Sequence, residues 1–299
     1  MASKSRSSPK PKLACEISAD RILAGRASDS GDIVTTFASR DLAPGAVVPD
    51  LTEANLPTRV AVSQAIQDAM LSLSDRSRDV IAVLPDAAVR VALLDFDTLP
   101  TKPEEAESVV RFRLKKSLPF DVEAAKVSYH AQVSGTGVKL VAAVALKSVI
   151  EDYEAAFRDA GYSPGVVMPS MLAALGAADS QKPTLVVKVD AETTSIAILD
   201  KQQMLLFRTL ENAQGSAISG EQLAEEIYPS IVFFQDTYQL NIEQIFIAGL
   251  EHSDSAIPAL RSQTGAEVRD LVSASQLGSS TGGSVPRWRM AGVVGALVS

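Results

Sequence analysis

The chain has 299 residues, 46% of them apolar, and a formal net charge of -8. That much apolar material supports a sizeable core in one large or two medium domains, whereas the acidic balance argues against nucleic acid as a partner, because phosphate contacts need a surplus of Lys and Arg on one face. A single cysteine, Cys15, excludes an intramolecular disulfide, and two histidines, His130 and His252, supply no zinc-ligand spacing, so a reducing cytoplasmic setting and no metal are expected.

The first residues, MASKSRSSPKPK, carry the positive charge of a signal peptide without the apolar stretch that must follow, so residues 1–12 are expected as a tail. Leu13 to Ser39 then reads as three strands, LACEIS, RILAGRAS and DIVTTFAS, joined by turns at Ala19-Asp20 and at Asp29 to Asp32. Cys15 falls in this apolar alternation and reads as a buried structural thiol. The strands VIAVLP (Val80 to Pro85) and VRVALLDF (Val89 to Phe96) complete a first lobe over 13–96.

A different module follows over 97–160. Pro103, Glu104 and Glu105 suit the first turn of a helix, Thr101 with Glu104 matches a capping box, and Lys115 and Lys116 suit its other end before Pro119. Strands AKVSYHAQV and KLVAAVAL come next, and then a helix with Leu146, Val149, Ile150, Tyr153 and Phe157 at helical spacing, stopping at Gly161. Residues 161–183 read as a crossover. The meander pattern returns over 184–299 as TLVVKVD, SIAILD and QMLLFRTL, so the chain is internally duplicated and two lobes should face each other across a cleft. Ser219 and Gln222 open a helix with Leu223, Ile227, Ile231, Phe234 and Tyr238 on one face, kinked at Pro229. The strand QIFIAG, a helix through Ile257 to Gln263, the strand AEVRDL, a low-complexity loop LGSSTGGSVP and a closing helix in WRMAGVVGALVS finish the chain. The apolar run from Met290 to Val298 is far short of the roughly 20 residues that a membrane span requires.

Three stretches carry a family resemblance: RFRLKKSLPFDVEAAKVSYHA (Arg111 to Ala131), EIYPSIVFFQ (Glu226 to Gln235) and VDAETTSIAILDKQQMLLFRTL (Val189 to Leu210). Together with the order of elements, they resemble the type IV pilus assembly PilM family, related to FtsA and to the cytoplasmic domain of GspL. The resemblance implies an α/β, actin-like (ASKHA) fold of two related lobes, with an inserted αββα subdomain. A fourth subdomain is reduced or missing, because Leu210 reaches Ser219 through only eight residues, ENAQGSAI.

An actin-like nucleotide site needs two glycine-containing hairpins around the phosphates, carboxylates for the metal and a Gly-Gly turn beneath the base. Here the first hairpin reads Glu16-Ile17-Ser18-Ala19, the second Lys188-Val189-Asp190, and the base-side turn Ala248-Gly249-Leu250-Glu251. The resemblance therefore implies a vestigial pocket of Glu16, Ser18, Ala19, Asp190, Thr193, Thr194 and Gly249, with no catalytic residue, no metal ligand and at most weak binding of ATP with magnesium. The implied function is a cytoplasmic, non-enzymatic scaffold recruited to the inner membrane. It would bind the N-terminal cytoplasmic peptide of a PilN-like inner-membrane protein, and other pilus platform proteins, between the first lobe and the inserted module. Arg111, Arg113, Lys115, Pro119 and Phe120 are the expected partner contacts. The alternatives are an ATP-binding protein with unusual phosphate loops and a GspL-like component of a type II secretion system.

Overall fold

The computed structural model describes residues 10–134, 137–278 and 285–298. The expected tail, the tip of the insert's hairpin and the middle of the LGSSTGGSVP loop lie outside or mostly outside these residues.

The first meander forms β1 (Leu13–Ile17), β2 (Arg21–Ala27) and β3 (Val34–Asp41), antiparallel neighbours. Helix α1 (Arg59–Leu71) then carries the chain to β4 (Asp79–Leu84), which pairs parallel to β1. The second meander repeats the plan with β9 (Thr184–Val189), β10 (Thr193–Asp200) and β11 (Gln203–Glu211), followed by α5 (Gly220–Tyr238) and by β12 (Gln244–Ala248), parallel to β9. Lys201 and Gln202 both have positive φ, 49° and 64°, as a two-residue hairpin loop of the primed type requires. Helix α6 (Ser253–Thr264) and β13 (Glu267–Asp270) complete a sheet ordered β11-β10-β9-β12-β13.

Three boundaries differ from the sequence expectation. The strand ending at Phe96, β5 (Arg90–Phe96), pairs with β7 (Gly137–Leu146), which in turn pairs with β6 (Ala125–Ser134), so the inserted unit begins at Arg90. Helix α2 (Pro103–Leu114) lays Ala106, Val110 and Leu114, one stripe at i, i+4, i+8, toward this three-stranded sheet. The helix α3 (Lys147–Asp159), expected within the insert, buries Val149, Tyr153 and Phe157 in the first lobe beside α1. Finally, residues expected as a crossover supply β8 (Ser163–Pro169), the edge of the first sheet, ordered β3-β2-β1-β4-β8. Its Pro164, Gly165 and Pro169 mask it in the sequence. An edge strand tolerates proline, and Gly165 falls where the register shifts.

Local signals are kept unevenly. Ser219 Oγ accepts the Gln222 N–H at 3.2 Å, as expected, and α5 continues through Pro229. At α2 the cap is Lys102, with no side-chain bond, so the Thr101 capping box does not form; Pro103 at the first helical position fixes the start instead. Cys15 is buried in β1, and burial, reinforced by the charge of Glu16, pushes its thiol upward.

The two five-stranded sheets share a core. The inward faces of β1 and β4 (Ala14, Ile81, Val83) and of β9 and β10 (Val186, Ala197) meet around α4 (Ser170–Ala174) and α7 (Ala291–Val298). Helix α7 approaches closely because glycines stand at its contacts: a Cβ on its own Gly295 would stand 2.1 Å from the Ala173 carbonyl oxygen, and one on Gly25 of β2 would stand 2.4 Å from Val293. Among the described residues, no helix is long and apolar enough to cross a membrane.

Candidate functional site

The two meander hairpins have one construction. Ser18 N–H donates to the Arg21 carbonyl at 3.0 Å, and Asp190 N–H donates to the Thr193 carbonyl at 2.7 Å. Two residues before each of these turns stand Glu16 and Lys188, which therefore occupy equivalent positions in the two lobes. The two-residue repeat of a strand decides where they point. Glu16 shares the face of Ala14, and Lys188 the face of Val186, so both are directed into the cleft between the sheets.

There they meet. Lys188 Nζ lies 3.5 Å from Glu16 Oε1 and 3.1 Å from Asp190 Oδ2, all three groups being buried. Ser170 Oγ donates to Glu16 Oε1, and the Ala191 N–H donates to Asp190 Oδ1 at 2.9 Å. Arg21, itself paired with Asp20 at 2.6 Å, stands 3.9 Å from Asp190 on its other side. A further carboxylate, Asp86, follows β4 and accepts from the Met171 N–H at 2.8 Å and from Ser195 Oγ, across the cleft, at 2.9 Å. Glu16–Lys188, Arg21–Asp190 and Asp86–Ser195 each join the first lobe to the second.

Charge settles the protonation states. Burial would strip Lys188 of its proton, but Asp190, Glu16 and Asp86 outweigh it and raise the pKa. Burial alone would push Asp190 up; Lys188, Arg21 and the Ala191 N–H hold it below its ordinary value. Asp86 has only the more distant pull of Lys188 and two hydrogen bonds, so burial prevails and lifts it to about 6. The cleft floor thus holds an ammonium that lies between Glu16 and the ionised Asp190.

The rest of the expected pocket is committed to local structure. Ser18 Oγ donates within its own turn, to Asp20 and to the Arg21 carbonyl, both at 3.2 Å. Thr194 Oγ1 accepts from Asn212 at 3.1 Å, while Ala19 borders the first turn and Thr193 lines the mouth. Gly249, with φ +77°, lets β12 pass so close to β9 that a Cβ would stand 1.7 Å from the Val189 oxygen, and its N–H donates to the Trp288 carbonyl at 2.8 Å. The open mouth above, about 720 Å³, is bordered by Asp50, Glu192 and Glu211. No group of histidine, cysteine and carboxylate ligands suited to a metal occurs among the described residues.

A second concavity, about 380 Å³, runs between the first lobe and the insert. One wall is the end of β8 (Val167 to Pro169) and the other the start of β6 (Ala125 to Ser128), with Ala143 and Ile150 among the apolar residues that line it. Both β6 and β8 are edge strands, each paired on one side only. Of the expected partner contacts, Arg111 lines this groove, donating to the carbonyls of Val122 and Ala125 at 2.8 and 3.3 Å and to Glu107 at 2.9 Å. The others do not. Arg113 and Lys115 project from α2 into solvent, Pro119 borders the cleft mouth, and Phe120 packs on the insert's core.

No sequence family model matches the chain, and no curated protein matches it by sequence. Solved structures do. A structure titled "PilM-PilN type IV pilus biogenesis complex" superposes with a TM-score of 0.81 over 97% of this chain and 98% of that one, at 19% identity. The cytoplasmic domain of EpsL, an inner membrane component of the type II secretion system of Vibrio cholerae, covers 96% of this chain and 94% of its own at TM-score 0.52 and 12% identity. A Bacteroides thetaiotaomicron protein described as having an actin-like ATPase fold and unknown function gives the same score over 86% and 89%, at 12% identity. The fold is actin-like. In actin-like terms, the hairpins at Ser18 and Asp190 stand where the two phosphate loops were expected, and the short path from Glu211 to Gly220 stands where the fourth subdomain was expected to be reduced.

Sequence reasoning found Glu16 and Asp190 but not the partners that hold them. Lys188 is not among the residues expected in the pocket, although a lysine inside TLVVKV is itself a signal: lysines are almost never fully buried without a counter-charge. Ser170 and Asp86 carried no such signal, since their places depend on helix and strand ends far apart in sequence.

Proposed function

We propose that this chain is a non-catalytic, cytoplasmic scaffold of an inner-membrane platform of the type IV pilus or type II secretion kind. It would hold the extended N-terminal segment of a PilN-like membrane protein in the groove between β6 and β8. The observation that carries this reading is the groove itself. Two edge strands flank an apolar floor, so an extended segment can pair its backbone with one of them while alternate side chains enter the groove. The likeness to the PilM–PilN complex supports the choice of occupant.

The cleft supports a role without nucleotide turnover. A magnesium nucleotide does not fit the residues present: the Lys188 ammonium fills the space between the carboxylates that would face a metal, Asp190 opposes a phosphate, and the Ser18 and Asp190 N–H groups close their own turns. This opposes the alternative of an ATP-binding protein.

The test is calorimetric titration of the purified chain with a synthetic peptide spanning the cytoplasmic N-terminus of a PilN-like protein. Micromolar binding is expected, weakened at least tenfold by Ser128→Trp, which fills the groove from an exposed position. Unaltered binding in that variant would overturn the groove assignment, and micromolar binding of ATP with magnesium would overturn the reading of the cleft.

A further inference from the structure

The outward face of α2 has no role in the groove or the cleft. Its C-terminal half presents Phe112, 76% exposed, with Val109 one turn earlier, 37% exposed. Around them stand Arg113, Lys115 and Lys116, exposed and in no ion pair among the described residues. The helix's acidic residues, Glu104, Glu105 and Glu107, belong to its first half; Glu105 is paired with Lys102 at 2.8 Å and Glu107 with Arg111 at 2.9 Å. The three unpaired cations thus form a positive spot on a chain whose net charge is -8.

Compensation of the helix dipole accounts for cations near a C-terminus, and solubility accounts for charges on an exposed face. Neither accounts for a nearly free phenyl ring in their midst. An aromatic side chain ringed by Lys and Arg matches an anionic bilayer surface, where the ring enters the headgroup boundary and the cations meet lipid phosphates. We propose that this end of α2 docks on an anionic membrane surface. Arg111, on the same helix, borders the groove, so the groove and the docking face belong to one corner of the molecule. The inference rests on the proposed function in one respect, that the groove's occupant is anchored in a membrane close by.

The acidic outer face of α5 (Glu221, Glu225, Glu226 and Asp236, with Tyr228 and Phe233 exposed) would also complement this spot in a second copy, so the experiment separates the two. Sedimentation of the full chain with vesicles is measured for phosphatidylcholine alone and for phosphatidylcholine with a third phosphatidylglycerol, at low and moderate salt, without peptide. Binding is expected only to the anionic vesicles and should weaken with salt. Each cation near such a surface contributes about fivefold to partitioning, so Arg113→Glu with Lys116→Glu, which removes two cations, should lower it by at least about 25-fold, and Phe112→Ser several-fold. Phe112→Trp should show a blue-shifted emission with anionic vesicles, beyond any change seen in the wild type through Trp288. The proposal is overturned if the wild type ignores anionic vesicles or the charge-reversed variant, folded by circular dichroism, binds them equally well. It is also overturned if the variant's only defect is loss of a concentration-dependent dimer. Peptide affinity in solution is expected to be unchanged in all three variants. Intact peptide binding with absent vesicle binding therefore sinks this inference and spares the groove, whereas the reverse result sinks the groove reading.

Discussion

Lys188 is the residue on which the cleft depends. A buried ammonium between Glu16 and Asp190 repays its desolvation only while both carboxylates are present, and removing one member of such a group leaves uncompensated buried charge, at a cost of about 3–5 kcal/mol. Lys188→Met should destabilise by that order in urea unfolding. Because the residues are in contact, adding Glu16→Gln should recover part of the loss, a coupling of about 1–3 kcal/mol in a double-mutant cycle. Additive effects would mean that the pair does not interact.

Asp86 makes a contrasting contribution with pH. Its folded pKa, about 6, lies above the ordinary carboxylate value, so the folded state takes up a proton that the unfolded state releases. Stability from this group is therefore present at low pH and is lost as pH rises toward and through 6. Asp190, held below its ordinary value, acts oppositely and withdraws stability as pH falls through its depressed folded pKa. Unfolding free energy should accordingly rise on going from pH 7 to pH 5. Asp86→Asn can still accept from the Met171 N–H and donate to Ser195, and it should flatten that slope, gaining about 1–2 kcal/mol on the wild type at pH 7. A slope of unchanged size in the variant would assign the titration elsewhere.

At the scale of elements, what the sequence disclosed depended on whether the determining contacts were local. The meanders were legible because apolar runs such as TLVVKV end in turn residues, and α3 because Tyr153, Phe157 and Gly161 mark both its face and its stop. The assignment of β5 was not legible: VRVALLDF reads as a strand, but its partner β7 lies more than 40 residues on, across a helix and another strand. The same holds for β8, whose prolines suggest a loop until its edge position is known. Glycines that permit close packing are likewise silent in sequence. Gly249→Ala would place a Cβ 1.7 Å from the Val189 oxygen at φ +77° and should cost about 3 kcal/mol or more. Gly31→Ala, at φ +82° but with open space around it, should cost about 1 kcal/mol. Similar losses in thermal unfolding at both sites would show that backbone conformation, rather than contact, sets the penalty.

Across the whole molecule the lobes are tied at several separate places. The ion cluster closes the cleft floor, α7 fills the space between the sheets, and the Gln132 side chain pairs with both backbone groups of Met204 at 3.1 and 2.7 Å, linking the insert to the second lobe. Lys139 adds a bond of 3.0 Å to Tyr238, whose hydroxyl donates to the Leu205 carbonyl at 3.0 Å. Gln132→Ala would strand two backbone groups of Met204 and should cost about 1–3 kcal/mol in urea unfolding. Unfolding probed by Trp288 fluorescence and by far-ultraviolet circular dichroism should coincide in a single transition, since the shared core leaves neither lobe complete without the other. Separated transitions would show that the lobes fold independently.

The ammonium in the cleft is bonded to the backbone it serves. A diffusible ion or nucleotide closes two lobes only in proportion to its supply, whereas a tethered cation is always at the high effective concentration set by its own side chain. On the proposed reading of the cleft, closure of this molecule would be fixed when the chain folds and would respond neither to chelators nor to nucleotide. Amide hydrogen exchange in the β9–β10 hairpin should be the same with EDTA as with millimolar magnesium and ATP.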